Sequence, residues 1–168
     1  MKFEETQRFK QVWIWITIIF VGLIPIGIFG IGLYQQVIRR HPFGNHPMSD
    51  NGLIISFFLI VVLFLFLLLL FGSLRLITVI NETGISFRFF PFHLKYHLIH
   101  WDEIEKYEVV KYNPIRDYGG WGIRCGKKGK AYNVSGDKGL ELILKNGKRL
   151  LIGTQMEKEM KDYLKNRR

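Results

Sequence analysis

Two stretches of the chain, residues 11–38 and 51–74, contain no Asp, Glu, Lys or Arg. Inside them Trp13 to Leu33 and Leu53 to Leu74 are nearly continuous in apolar side chains, without the polar stripe that a surface helix shows. Each reaches the ~20 apolar residues that a membrane-crossing helix requires. A backbone in hydrocarbon must satisfy its own hydrogen bonds, and a helix does so within one segment, so both stretches are predicted to be membrane spans. Trp13, Trp15 and Tyr34 lie at the ends of the first span, where amphipathic rings favour the headgroup region. Pro25 is expected to bend that span slightly, and Gly22, Gly27, Gly30 and Gly32 to pack against the second, because small residues let helices approach closely in lipid.

After Arg75 the pattern changes to alternation, the period of half-buried strands. Leu76 to Ile80 reads as a strand, residues 81–84 as a turn, and Ile85, Phe87 and Phe89 as the inner face of the next strand. Alternation recurs at Leu94, Tyr96 and Leu98, then from Lys106 to Tyr112. Gly119-Gly120 precedes a strand from Trp121 to Cys125, the tip at residues 126–129 reads Gly-Lys-Lys-Gly, and a further strand runs from Ala131 to Val134. Leu140, Leu142 and Leu144 share a face, and Asn146-Gly147 predicts a type I′ hairpin returning through residues 148–153. Thr154 with Glu157 has the spacing of a capping box, and Met156, Met160, Tyr163 and Leu164 follow at helical spacing. Seven or eight short strands and a closing helix are therefore expected after the spans.

Charge adds orientation. The 168 residues hold 24 Lys+Arg and 14 Asp+Glu, a formal net charge of +10. Residues 1–75 contain 6 basic and 3 acidic side chains, and residues 76–168 contain 18 and 11. Lys2, Arg8 and Lys10 flank the first span and Arg75, Arg88 and Lys95 follow the second, against Arg39 and Arg40 between them. The positive-inside tendency then puts both termini in the cytoplasm of a cell-membrane protein. The expected organisation is a flank at 1–12, spans at 13–33 and 53–75, a short extracytoplasmic loop at 34–52, and a cytoplasmic domain at 76–168. The first span is long for a secretory leader and lacks an A-x-A cleavage site, so it is expected to be retained. One cysteine, Cys125, excludes an intrachain disulfide and a four-thiolate zinc site.

Two spans, a strand starting at the membrane, the run Ile99-His100-Trp101-Asp102-Glu103-Ile104 and Gly153-Thr154-Gln155 before a helix together resemble the bacterial pleckstrin-homology-like (PH-like) proteins on membrane anchors. Gly119-Gly120-Trp121-Gly122-Ile123-Arg124, with Tyr132-Asn133 and Ser135-Gly136, is similar to an uncharacterised subgroup of them. The resemblance implies an α+β, mainly-β PH-like barrel of two packed antiparallel sheets, capped by the C-terminal helix. The basic K…R-x-R pattern of inositol-lipid-binding relatives is missing at residues 81–84, so that specificity is not implied.

The candidate contact residues lie in two neighbouring segments. Arg124, Lys127, Lys128 and Lys130 form a basic hairpin tip suited to acidic headgroups or an acidic partner, although such tips are often merely solvated turns. Asn113, Arg116 and Tyr118 belong to a loop expected to present a contact surface. Trp121 either lines a groove or is buried, and burial is favoured. His93 and His97, if extended, would stand about 13 Å apart, too far to share a metal. Asp102 is expected to cap a turn. No nucleophile with an activating partner, phosphate loop, metal set or cofactor motif is recognised, and no base-stacking motif supports nucleic-acid binding. The expectation is a non-catalytic membrane-anchored module that tethers or scaffolds through protein or anionic-lipid contacts, with homo-oligomerisation left open. The alternative is an accessory subunit of a larger membrane complex, recognised through its helices.

Overall fold

The computed structural model describes residues 2–126 and 128–166. It divides into two compact units, one being Lys10–Gly72 and the other the chain on either side of that insert.

The inserted unit is a helical hairpin. Helix α1 spans Val12–Leu33 and continues into a π-helical turn, Tyr34–Ile38, while α2 spans Asp50–Ser73. Both are long and apolar enough to cross a membrane. Side chains such as Phe20, Leu63, Phe66 and Leu69 are exposed, as lipid-facing positions would be. The expected packing of glycines on the second helix holds at Gly22, which lies against the Phe64 ring where a Cβ would collide with it, and at Gly30, where a Cβ would meet Phe57 at 3.7 Å, whereas Gly32 lies against Phe43 of the connection. Gly27 is open. Gln36 organises the connection by donating to the Met48 carbonyl at 2.6 Å and to Asp50 Oδ1 at 2.7 Å, and by accepting from the Phe43 N–H at 3.3 Å.

The other unit begins before the hairpin. Residues Phe3–Arg8, within the expected N-terminal flank, form strand β1. It pairs antiparallel with β2 (Arg75–Ile80), from Phe3 opposite Ile80 to Arg8 opposite Arg75. β3 (Gly84–Phe90) and β4 (His97–His100) complete a sheet of order β1-β2-β3-β4. The second sheet contains β5 (Ile104–Lys111), β6 (Gly122–Gly126), β7 (Gly129–Asn133), β8 (Lys138–Leu144) and β9 (Arg149–Gly153), in the order β5-β8-β9-β7-β6. Helix α3 is Pro114–Tyr118 and α4 is Glu157–Lys165.

The α+β class and the eight strands after the two long helices agree with expectation, but several local expectations do not hold. The second sheet is mixed, because β7 pairs parallel to β9 while every other pair is antiparallel among the described residues. Leu94 and Tyr96 lie in a turn before β4, and Leu98 is exposed on it, so the inward residue is Ile99. The β8–β9 turn is not type I′, since only Gly147 has a positive φ, at 79°. The Gly147 N–H reaches the Leu144 carbonyl and the Leu144 N–H reaches Lys148, the pattern of a three-residue loop with a glycine bulge. Thr154 does not cap α4: the N-cap is Met156, and the Thr154 hydroxyl is engaged with Glu5 and the Met156 N–H.

Leu76, Ile80, Ile85 and Phe89 from the first sheet and Leu140, Leu142, Leu151 and Ile152 from the second are fully buried. Phe87 meets Tyr132 with ring centroids 4.7 Å apart, joining the two sheets. Met160 and Leu164 supply the buried face of α4, and Tyr163 meets Phe3 of β1 at 6.2 Å.

Candidate binding site

The segment expected to be a contact loop is the short helix α3. Proline at its first position has no N–H to satisfy and a backbone angle suited to a helix start. Asn113 is the cap: its side chain accepts from the Arg116 N–H at 2.9 Å, while its own N–H donates to Asp117 Oδ2 at 3.0 Å. Lys128, in the turn at the tip of the β6–β7 hairpin, reaches that same Asp117 oxygen at 3.1 Å. The Asn113 N–H and the Lys128 ammonium hold the Asp117 carboxyl below its ordinary range. Arg116 is directed outward, with Nε 3.9 Å from Asp117.

These residues edge a cavity of about 360 Å³ whose lining includes Asn113, Arg116, Trp121, Lys128 and Asp137. The structure thus brings three expected site residues together. Trp121, expected to be buried, is half-buried, with its indole N–H donating to the Gly136 carbonyl at 3.0 Å. Tyr118 is corrected: it is 4% exposed and packs in a core cluster with Tyr112, Ala131 and Leu151, so it offers no contact surface. Below the cavity, Asn133 is fully buried, donates to the Tyr112 hydroxyl at 2.9 Å and accepts the Gly122 N–H at 2.8 Å. Burial pushes the Tyr112 phenol up to about 12.

The remaining basic-tip residues are dispersed. Arg124 is exposed, and its Nε donates to the Trp121 carbonyl at 2.9 Å. Lys130 lies over the Tyr132 ring at 5.1 Å, and hydrogen bonding to Tyr132 raises its pKa. Lys127 lies outside the described residues. Asp102 gives up its expected capping role to Glu103, whose carboxylate accepts the His100 N–H at 3.3 Å.

The histidine geometry differs most from expectation. Because residues 91–96 turn instead of extending, the His93 and His97 ring centroids are 4.2 Å apart. Both meet Phe87, and His93 also meets Tyr132 at 5.3 Å. Burial, then His97 and Lys130, lowers the His93 pKa. Among the described residues there is no group of three or more His, Cys, Asp or Glu placed to hold a metal ion.

A second polar arrangement had no readable signal in the sequence. Glu5 of β1 is 4% exposed, accepts the Thr154 hydroxyl at 2.6 Å and accepts the Gln155 N–H at 2.7 Å. Gln7, also buried, donates to the Gly153 carbonyl at 2.6 Å. Burial raises the Glu5 pKa, against the hydrogen bonds that lower it. These contacts fasten the first strand to the segment entering α4. Phe3 and Phe9 share the buried face with Glu5 and Gln7, so the strand alternates in position without alternating in hydropathy. No family model, curated protein or solved structure matches this chain.

Proposed function

We propose that the chain is a non-catalytic, membrane-anchored PH-like module that holds a protein partner at the cytoplasmic membrane face through the cavity beside α3. The observation that supports this reading is the place of the hairpin in the chain: it is inserted between β1 and β2, adjacent antiparallel strands of one sheet. A body entered and left by the chain at neighbouring strands has both connections to the spans on the same side of the bilayer. The basic flanks favour the cytoplasmic side. Anchoring confines the body to a thin layer at the membrane and raises its effective concentration for a partner there, without requiring chemistry.

The test is affinity capture of the full-length protein from native membranes, comparing wild type with a double variant, Arg116→Glu and Lys128→Glu. Captured proteins lost selectively with the variant are the expected result. Identical captured sets, or substrate turnover by the purified chain that disappears on changing one polar side chain, would overturn the reading. Residues 76–168 alone are unsuitable for this test, because they lack β1 and leave the Gly153 carbonyl and Gln155 N–H without Gln7 and Glu5.

A further inference from the structure

We infer that the turn at residues 91–96 is a lipid contact, seated in the anionic interface of the same bilayer that the two helices cross. This inference rests on the membrane-anchored reading and assigns the lipid surface to a segment other than the basic tip at 124–130. It starts from the rung in which Arg8 pairs with Arg75 and Arg75 with Phe90. One residue, Leu74, separates Arg75 from the end of α2, and three separate Arg8 from the start of α1. Chain geometry therefore limits those connections to about 7 and 14 Å. The turn begins immediately after Phe90, at the end of the sheet where the chain passes to and from the spans.

Its composition suits that place. Phe92, Leu94 and Tyr96 are 61%, 75% and 46% exposed, whereas Ile85, Phe87 and Phe89 of the preceding strand β3 face the core. Cations surround them. The Arg75 guanidinium stands 4.9 Å from the Phe90 ring centre and Arg88 stands 4.7 Å from that of Tyr96. Arg8 and Lys95 are exposed, and none of these four cations has a carboxylate ion-pair partner among the described residues. At the basic tip, by contrast, Lys128 is paired with Asp117. Exposed aromatic and aliphatic side chains interleaved with unpaired cations match an interface with apolar depth and anionic headgroups. A soluble acidic partner would account for the cations but not for Phe92 and Leu94.

A nitroxide attached to Leu94→Cys, in full-length protein carrying Cys125→Ser, tests the inference by its accessibility to oxygen and to a water-soluble nickel chelate. The protein is placed in nanodiscs of phosphatidylcholine alone or mixed equally with phosphatidylglycerol. With the anionic lipid, position 94 is expected to be several-fold less accessible to nickel than a label at Glu82→Cys, on the turn at the opposite end of β2 and β3, and more accessible to oxygen. That difference is expected to shrink in phosphatidylcholine. Nickel accessibility equal to that at position 82 would overturn the inference. So would shielding from both reagents, which marks a protein contact, or no response to the anionic lipid. A label at Leu63→Cys separates the two levels of argument: oxygen-rich there and wet at 94 removes only the lipid-contact turn, whereas wet at 63 removes the membrane-anchored reading itself.

Discussion

Asn133 shows how one side chain links folding to the candidate site. It has no exposure and connects the Tyr112 hydroxyl to the Gly122 N–H, so Asn133→Ala strands a backbone donor and a phenol in the interior. An unpaired buried polar group costs about 1–3 kcal/mol, and a loss of that size is expected in chemical denaturation of the detergent-solubilised protein. Glu5 makes a different, pH-dependent contribution. Its pKa is raised by burial, so the folded state holds the proton more tightly than the unfolded state does. The associated stability is fully present below the ordinary carboxylate range and is lost as pH rises through the raised value. Relative to wild type, Glu5→Gln is expected to gain stability across that window and to hold a constant difference above it. A difference independent of pH would show that Glu5 does not titrate in this way. Sequence could not identify Glu5 as buried, because a glutamate between Phe3 and Thr6 reads as solvent-facing until Thr154 and Gln155 arrive from the other end of the chain.

Among the elements, the β6–β7 hairpin depends on backbone proximity. Gly129 has a φ of 109°, and a Cβ there would collide with the Arg149 carbonyl oxygen beside the parallel β7–β9 pairing. Gly129→Ala is expected to destabilise the unit by about 1–3 kcal/mol, the scale for a residue forced into disfavoured backbone angles, measured as a lower denaturation midpoint. β1 is expected to be indispensable. Removing residues 2–9 exposes the β2 edge and breaks the Gln7 and Glu5 contacts, so faster limited proteolysis and aggregation in detergent should follow. The strands from residue 76 onward were largely legible because Ile85, Phe87 and Phe89, or Leu140 and Leu142, alternate cleanly. The turn at 91–96 was misread since Leu94, Tyr96 and Leu98 also alternate, yet two of them stand in a turn and the third is exposed. An alternating pattern records one face of a segment without saying whether that face meets a core or a membrane.

For the molecule as a whole, insertion of the hairpin between two paired strands makes topology testable. Fusion reporters at the N- and C-termini are expected to report the same compartment, and an impermeant thiol reagent should label Asn45→Cys from the opposite side, in a Cys125→Ser background. Reporters in different compartments would contradict the pairing of β1 with β2. The candidate site was legible only in outline: Asn113, Arg116 and Lys128 do share a cavity, but Tyr118 belongs to the core and Asp117, which holds the hairpin tip to α3, was not singled out.

The two long apolar helices, most strands and the amphipathic closing helix follow from local order in the chain, because hydropathy and its period act over a few neighbouring residues and do not depend on distant partners. Which distant segments meet is another matter. The pairing of β1 across the whole hairpin, the parallel contact of β7 with β9, the burial of Glu5 against Thr154 and the approach of His93 to His97 depend on register and chain reversal between separated segments. Such contacts are selected by the combined packing of both sheets, and a local pattern compatible with several registers does not distinguish among them.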